Sequence, residues 1–277
     1  MSTKAVELAH FAPASRIAQR FVSARLNVTS LGDYPGQIPP DLASAYEVQE
    51  NAIELWQDEI AGWKIGRIPP PFEQKLGAAR LAGPIFAKAV QRASGEDVVE
   101  LGLIDGGFSA VEAEFVFEIG TNAPPNQLRW SVNDAAAIVK RMLVGVELAG
   151  SPLATINALG PTVVVSDFGN NAGLVLGPEV ANWRDRALTD LCAETFIDGK
   201  SVGKGSADSI LGGPLGALQF VAELCAKRGR PLKAGMLIST GAATGIHDIV
   251  AGQEARIAFK GIGTIHCAAK TRVAQSV

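Results

Sequence analysis

The fold is decided by the stretch Phe108-Ser109-Ala110-Val111-Glu112-Ala113-Glu114-Phe115-Val116-Phe117-Glu118-Ile119. Carboxylates and apolar residues alternate here with the period of a β-strand. Glu112 and Glu114 therefore point to one face of the predicted strand, and the apolar residues between them point to the other. Two like charges on one face repel each other unless a positive group lies between them, and a divalent cation is such a group. The alternative is a solvated strand face, with Glu118 continuing the same row.

Composition restricts the class of protein. The chain has 277 residues, of which 47% are hydrophobic and 19% charged, and this predicts a globular protein with a sizeable core. The formal net charge of -3 gives no electrostatic reason to expect nucleic acid as a partner, and no apolar stretch is long enough to span a membrane. Residues 1–14 mix charged residues among apolar ones and lack a secretory core segment. Three widely separated cysteines favour a reduced, cytoplasmic protein.

The composition of the sequence changes near residue 80, from helix-forming to strand-forming patterns. Residues 1–80 predict a smaller, mostly helical N-terminal portion, and residues 81–277 predict a β-dominated catalytic domain. The predicted helices cover residues 13–27, 42–60, 131–142 and 215–228. The predicted strands cover residues 61–66, 84–90, 98–101, 108–119, 236–239, 254–259 and 263–267, and Asp198-Gly199 predicts a hairpin turn. Residues 143–149 either continue the preceding helix or form a strand.

Three further features carry candidate chemistry. Glu147 is a lone carboxylate among apolar residues, which is either paired or metal-bound in a core, or exposed on an amphipathic helix. Lys64 lies between apolar neighbours and flanking glycines, where it approaches an anion, transfers a proton or simply occupies a strand edge. Ser239-Thr240-Gly241 leads from a strand into a loop rich in hydroxyl groups and glycine, which either binds carboxylate or phosphate oxygens or forms a plain turn.

The order of these motifs resembles that of the 2-keto-4-pentenoate hydratases, within the wider fumarylacetoacetate hydrolase superfamily. The resemblance extends from about residue 45 to the end of the chain. It is carried by Gly62-Trp63-Lys64-Ile65-Gly66, Val111-Glu112-Ala113-Glu114, Glu147, residues 171–177, residues 213–218, residues 232–235 and Ser239-Thr240-Gly241. It implies an α+β fold, namely a mixed β-roll with a smaller N-terminal α/β portion.

The resemblance also implies a site and a reaction. Mg²⁺ or Mn²⁺ would be held by Glu112, Glu114 and Glu147. The substrate, a 2-oxo acid or its dienol, would be bound by Lys64, Ser239, Thr240 and Gly241, with Lys64 also acting as a catalytic residue. The implied enzyme is a lyase that adds water to 2-hydroxypenta-2,4-dienoate, giving 4-hydroxy-2-oxopentanoate in the catabolism of aromatic compounds. A homo-oligomer is implied as well.

The chain departs from the hydratase pattern at two places. Hydratases typically carry an Asp and an Arg after the third glutamate, where this chain has Gly150 and Pro152. Many members also have an acidic residue in the segment that here reads Arg80-Leu81-Ala82-Gly83. Three alternatives therefore stay open. They are decarboxylation of an acid like 4-oxalocrotonate, C–C hydrolysis of an acylpyruvate, and a non-catalytic metal-binding subunit in complex with a related decarboxylase.

Overall fold

The computed structural model describes residues 13–273. The predicted absence of a secretory segment falls on residues 1–14, and all but the last two of these lie outside the described range. The helices are α1 (Pro13–Leu26), α2 (Leu42–Leu55), α3 (Pro70–Leu76), α4 (Val132–Ala137), α5 (Pro161–Ser166) and α6 (Gly213–Lys227). The strands are β1 (Ile60–Arg67), β2 (Arg80–Phe86), β3 (Val90–Arg92), β4 (Val98–Leu103), β5 (Phe108–Ile119), β6 (Val139–Ser151), β7 (Asn171–Glu179), β8 (Cys192–Ile197), β9 (Lys200–Ser206), β10 (Leu237–Asp248), β11 (Glu254–Phe259) and β12 (Gly263–Thr271).

The strands form two sheets. The larger has seven strands in the order β2-β1-β10-β5-β6-β7-β3, and the smaller has five in the order β4-β12-β11-β8-β9. Most neighbours are antiparallel, but β1 runs parallel to β10 and β3 runs parallel to β7, so the larger sheet is mixed. The predicted α+β class is thus confirmed.

Strand β5 is the centre of the larger sheet, and its bounds are those predicted. It pairs with β10 along one edge and with β6 along the other, and every residue from Ala110 to Ile119 is buried. The apolar face packs in the core, where Phe115 meets Phe259 edge to face with ring centroids 5.7 Å apart. Because the carboxylate face is covered as well, the interpretation of a solvated strand face is wrong.

Two predicted helices end early, one at an extended C-cap residue, Trp56, and the other because a strand begins. Helix α2 starts after its predicted N-cap, Asp41, whose Oδ1 accepts a hydrogen bond from the backbone N–H of Ser44 at 2.8 Å, but it ends at Leu55. The helix predicted over residues 131–142 ends at Ala137, and β6 begins at Val139. Pairing of β6 along the whole length of β5 outweighs the local helix propensity of this segment.

The division of the chain at residue 80 stays a prediction. Helices α1 and α2 lie on its N-terminal side and pack against each other. Strand β1 lies on the same side of residue 80, yet it is a member of the larger sheet between β2 and β10. Its close approach to β10 requires glycine at position 62, since a Cβ there would lie 1.9 Å from the carbonyl oxygen of Leu237. Within residues 13–273, no helix has the length and apolar character needed to cross a membrane.

Candidate metal centre

Three buried carboxylates meet at the centre of the larger sheet. Glu112 and Glu114 lie on β5, and Glu147 lies on β6 directly opposite Glu112 in the antiparallel register. One oxygen of each carboxylate lies within 4.8 Å of the others. Glu114 and Glu147 are fully buried, and Glu112 is 8% exposed. The structure thus brings together the three metal ligands predicted from the sequence, and it places Glu147 in the core rather than on an exposed helix face.

Glu114 and Glu147 each have one carboxylate oxygen that accepts hydrogen bonds and one that has no hydrogen-bond partner. Oε2 of Glu114 accepts hydrogen bonds from Ser239 Oγ at 2.5 Å and from the backbone N–H of Gly241 at 2.9 Å. Oε1 of Glu147 accepts a hydrogen bond from Asn171 Nδ2 at 2.9 Å. Oε1 of Glu114 and Oε2 of Glu147 are buried without a hydrogen-bond partner. Buried carboxylate oxygens without partners are unfavourable, and a bound cation removes that cost.

Lys64 supplies the positive charge beside this cluster. It lies on β1 opposite Ser239 of β10, is only 3% exposed, and places Nζ 3.3 Å from Glu147 Oε1. Its Nζ also donates to the carbonyl oxygen of Gly169 at 3.1 Å and to Asn170 Oδ1 at 3.0 Å. Burial lowers the pKa of Lys64, but the neighbouring carboxylates, Glu147 foremost, outweigh burial and raise it. Three carboxylates and one ammonium leave two net negative charges, the number that one divalent cation neutralises.

The glutamates are difficult to ionise together. Burial raises the pKa of Glu112 to about 7, an effect that Lys64 opposes and Glu147 reinforces. Burial also raises the pKa of Glu114 well above its ordinary value, and the charges of Glu147 and Glu112 add to the effect. An oxygen-only donor set of this kind suits hard cations such as Mg²⁺, Mn²⁺ or Ca²⁺. The residues present therefore fit a divalent metal.

A buried ion pair, Arg25 with Asp167, is connected to the carboxylate cluster through Asn171. Arg25 of α1 contacts Asp167 through two hydrogen bonds, Nε to Oδ1 at 2.6 Å and Nη2 to Oδ2 at 2.9 Å, and Ser151 Oγ donates to Asp167 Oδ2 at 2.6 Å. Nη1 of Arg25 donates to the backbone oxygen of Asn171 at 3.1 Å, and the Asn171 side chain holds Glu147. Sequence reasoning missed Arg25 because it lies 142 residues from Asp167. No short motif links such distant partners.

The structure also shows what surrounds the two departures from the hydratase pattern. Nη2 of Arg25 donates to the backbone oxygen of Gly150 at 2.8 Å. A side chain at Gly150 would meet the Cβ of Ala172 at 2.9 Å, so the packing here accepts only glycine without adjustment. The segment that begins at Arg80 forms β2, which pairs with β1 beside Lys64.

A cleft of about 640 Å³ opens over the cluster. Lys64, Glu112, Thr240 and Gly241 line it, whereas Ser239 does not. Oγ1 of Thr240 donates to the backbone oxygen of Phe115 at 2.7 Å. Ser239 and the Gly241 N–H hold Glu114, so their visible role is to orient a carboxylate of the cluster. Contact of Ser239, Thr240 and Gly241 with a substrate stays a prediction.

Comparison with known proteins gives relatives over most of the chain, although no protein-family model matches it. It is 28% identical to 2-keto-4-pentenoate hydratase 2 of Dechloromonas aromatica over 229 residues, which cover 81% of this chain and 85% of that protein. It is 26% identical to a 4-oxalocrotonate decarboxylase of a Pseudomonas species over 257 residues, which cover 91% of this chain and 96% of that protein.

Solved structures share the fold. The 4-oxalocrotonate decarboxylase of Pseudomonas putida G7, complexed with magnesium and adipate, matches with a TM-score of 0.75 and 24% identity over 97% of this chain and 99% of that one. Fumarylpyruvate hydrolase of Pseudomonas aeruginosa, in complex with Mn²⁺ and pyruvate, matches with a TM-score of 0.57 and 16% identity over 76% of this chain and 89% of that one. The chain is therefore a relative of the 2-keto-4-pentenoate hydratases with the fold of the fumarylacetoacetate hydrolase superfamily, as its motifs predicted.

Proposed function

We propose that this chain is a divalent-metal-dependent lyase, with Mg²⁺ or Mn²⁺ held by Glu112, Glu114 and Glu147. The proposed reaction adds water to a 2-hydroxy-2,4-dienoate to give a 4-hydroxy-2-oxo acid, in the catabolism of aromatic compounds. The observation that carries the proposal is the buried cluster itself, with two carboxylate oxygens that lack partners and a net charge suited to one divalent cation. The hydratases among the relatives support the choice of reaction.

The side chains of the cluster have distinct roles in this proposal. A bound divalent cation supplies Lewis-acid stabilisation of the negative charge that develops on the 2-oxygen of the substrate. Ser239 and the Gly241 N–H fix the orientation of Glu114, and Asn171 fixes that of Glu147. Lys64 forms an ion pair with Glu147 and, as a residue that lines the cleft, attracts the substrate carboxylate. A covalent nucleophile is not needed for this reaction.

Decarboxylation of a 4-oxalocrotonate-like acid is the second candidate. Two 4-oxalocrotonate decarboxylases of Pseudomonas match 91% and 90% of this chain, more than the 81% that is matched by 2-keto-4-pentenoate hydratase 2. Both reactions place the same negative charge on the 2-oxygen, so the cluster does not distinguish between them. C–C hydrolysis of an acylpyruvate uses the same chelating end of the substrate.

The test is turnover of a substrate panel followed by identification of the products. Purified protein is incubated with 2-hydroxy-dienoates, 4-oxalocrotonate and acylpyruvates, with Mg²⁺ or Mn²⁺ and with a chelator. We expect metal-dependent formation of a 4-hydroxy-2-oxo acid from the dienoate. Release of CO₂ from 4-oxalocrotonate alone would assign the second candidate.

Absence of turnover on the whole panel would overturn the enzyme assignment. Metal and oxalate binding without turnover, together with co-purification of an active homologue, would then identify a non-catalytic subunit that assembles with a related decarboxylase. Sedimentation of the purified protein tests the proposed homo-oligomer.

A further inference from the structure

Two asparagine side chains connect the buried Lys64 to the surface of the cleft. Lys64 Nζ donates a hydrogen bond to Asn170 Oδ1 at 3.0 Å, and Asn170 Nδ2 donates to Asn157 Oδ1 at 3.2 Å. Asn170 is only 4% exposed and Asn157 is exposed, and both line the cleft that opens over the carboxylate cluster. The hydrogen bonds therefore lead from the core to a surface that a ligand of the cleft can contact.

The ammonium group of Lys64 fixes the direction of both hydrogen bonds. It has three N–H bonds and no lone pair, so the atom of Asn170 beside it must be the amide oxygen. The amide nitrogen of Asn170 then faces Asn157, where only the oxygen can accept its hydrogen bond. The Nδ2 group of Asn157 is left as a donor, and it has no acceptor among residues 13–273, the part of the chain that the structure describes.

An unusual turn holds Asn170 in place. The three residues 168–170 have positive φ angles of 55°, 63° and 56°, in the left-handed region that Asn tolerates and most other side chains avoid. The turn packs so closely against β2 that a Cβ at Gly83 would lie 1.9 Å from the backbone oxygen of Phe168. Backbone in such a conformation persists only where its surroundings hold it, and it is concentrated at functional sites. The orientation of the Asn170 amide is therefore fixed by the fold.

The segment that carries Asn157 contributes otherwise apolar residues to the cleft. Gly160, Pro161 and Val164 follow Asn157 in the chain and also line the cleft. Asn157 itself is held between Ile156, which is fully buried, and the N–H of Gly160, which donates to the Asn157 backbone oxygen at 3.2 Å. In apolar pockets a few well-placed polar groups orient and select the ligand. A single amide donor in this segment is such a group.

The donor of Asn157 is close enough to the carboxylate cluster to act on a small ligand bound there. Two hydrogen bonds and two amide groups separate Asn157 Nδ2 from Lys64 Nζ, which limits the distance between these atoms to about 11 Å at most. Lys64 Nζ itself lies 3.3 Å from Glu147 Oε1. The positive charge of Lys64 also polarises both amide groups, and this strengthens the outer N–H group as a donor.

We propose that Asn157 is a specificity-determining residue, whose Nδ2 donates a hydrogen bond to an uncharged oxygen of the ligand beyond its chelating end. Asn170 is the positioning residue that fixes the polarity of this contact. The ligand class is then a 2-oxo acid with an oxygen on carbon 4. In the proposed hydration this oxygen is the 4-hydroxyl group of the product, which comes from the added water. The inference rests on the proposed function, because the metal holds the other end of the ligand.

Calorimetry with an isosteric pair of ligands tests the proposal without requiring turnover. The Mg²⁺-loaded protein is titrated with 4-methoxy-2-oxobutanoate and with 2-oxohexanoate, which differ only in an oxygen atom that replaces a methylene group. The ether oxygen accepts a hydrogen bond but cannot donate one, so it responds to a donor in the cleft. One hydrogen bond between uncharged groups is worth about a factor of five in affinity. We therefore expect the wild type to bind the ether about fivefold more tightly.

Two substitutions should remove this preference in different ways. Asn157→Leu removes the donor itself. Asn170→Asp keeps an acceptor for Lys64 but replaces the amide nitrogen by a second oxygen, so Asn157 must rotate to donate to it and presents its own oxygen to the cleft. Either variant should bind the ether no more tightly than 2-oxohexanoate. Both ligands have the same chelating end, so a general disturbance of the site would weaken both and leave the ratio of their affinities unchanged.

Ser209→Ala is the matched control, because Ser209 is an exposed polar residue of the same cleft, and it should retain the fivefold preference. Asn157 is exposed, so Asn157→Leu decides the question even if Asn170→Asp does not fold. Equal affinities in the wild type, or a preference that survives Asn157→Leu, would overturn the inference and leave the proposed function standing. A preference that survives Asn170→Asp would overturn the role of Asn170. Failure of both ligands to bind in the presence of Mg²⁺ would overturn the proposed function and this inference with it.

Discussion

Replacement of Glu114 by Gln should have opposite effects on stability with and without a divalent metal. In the metal-free protein the three carboxylates lie within 4.8 Å of one another, and two unit charges at that distance repel by about 3 kcal/mol at an effective dielectric constant of about 20. Burial and the neighbouring charges raise the pKa of Glu114 well above its ordinary value, which favours the neutral form of this carboxyl group and relieves part of the repulsion. We therefore expect the Gln variant without metal to be more stable than the wild type by about 1 kcal/mol.

The Gln side chain fits the same hydrogen bonds. Its carbonyl oxygen accepts from Ser239 and from Gly241, as Oε2 of Glu114 does. Its amide group takes the place of Oε1, which is buried without a partner, and can donate to the neighbouring carboxylates. The variant should therefore fold normally, which separates loss of metal binding from loss of structure.

Addition of Mg²⁺ should reverse the order of stability. Mg²⁺ at about 100 times its Kd stabilises the wild type by about 2.7 kcal/mol. For a chain of this size that corresponds to a rise in Tm of about 5 °C. The Gln variant lacks one ligand and one of the charges that attract the cation, so its Tm should not change. Thermal unfolding with a chelator and with Mg²⁺ measures both effects, and calorimetry of Mg²⁺ binding measures affinity directly.

Glu118→Gln is the control, because Glu118 lies on the same strand and the same face but is paired with Lys140 and Arg141 at 2.7 and 2.6 Å. It should show the full Mg²⁺-dependent rise in Tm. The reasoning is refuted if Glu114→Gln shows the same rise in Tm as the wild type. It is also refuted if the metal-free Gln variant is clearly less stable than the wild type, because then the carboxylates would not repel.

Three further substitutions test other parts of the structure. Asp167→Asn leaves Arg25 buried without its counter-charge and should lower the free energy of unfolding by about 3 kcal/mol, as measured with urea; a loss near zero would contradict the role of this pair. Burial raises the pKa of Glu118, but hydrogen bonds from two basic side chains outweigh it and hold the pKa below 4.5. The ionised carboxylate of Glu118 should therefore stabilise the fold by up to about 1 kcal/mol above pH 4.5, and this stabilisation should be lost as the pH falls through the lower pKa of the folded state. The measurement is the difference in free energy of unfolding between the wild type and Glu118→Gln. The same difference at pH 3 and at pH 6 would exclude this contribution of Glu118. Gly83→Ala would place a Cβ 1.9 Å from the backbone oxygen of Phe168 and should destabilise the protein by about 2 kcal/mol or more. Unchanged urea unfolding would show that β2 and the turn at Phe168 move apart easily.

The sequence predicts features that depend on local periodicity. Strand β5 could be located because carboxylate and apolar residues alternate from Val111 to Phe115 and turn residues flank the run, and the Asp198-Gly199 hairpin joins β8 and β9 as its turn signal predicts. The start of α2 was predictable from Asp41, but its end was not, because no glycine or proline marks Leu55. Periodicity fails at residues 138–142, where pairing with β5 overrides helix propensity.

The residues of the site could be predicted only where they belong to a short sequence motif. Glu112 and Glu114 share one strand, so their spacing alone raised the hypothesis of a metal. Glu147 needed the resemblance to a family, because its position opposite Glu112 depends on the register of two strands that are not joined by a hairpin. Arg25 and Asp167 had no such signal. In the sequence, Arg25 looks like a surface residue of an amphipathic helix, and only the folded structure shows that it is buried.

Lys64 illustrates how contacts narrow a role that sequence leaves open. From its flanking glycines it was either an anchor for the substrate, a proton carrier or a residue at a strand edge. The structure places acceptors around all three N–H bonds, at Gly169, Asn170 and Glu147, and the surrounding carboxylates raise its pKa. Such a lysine keeps its proton and contributes a fixed charge. When all three carboxylates are ionised, the lysine charge cancels one of them and leaves two net negative charges. One divalent cation neutralises these without an excess of charge that would repel an anionic substrate.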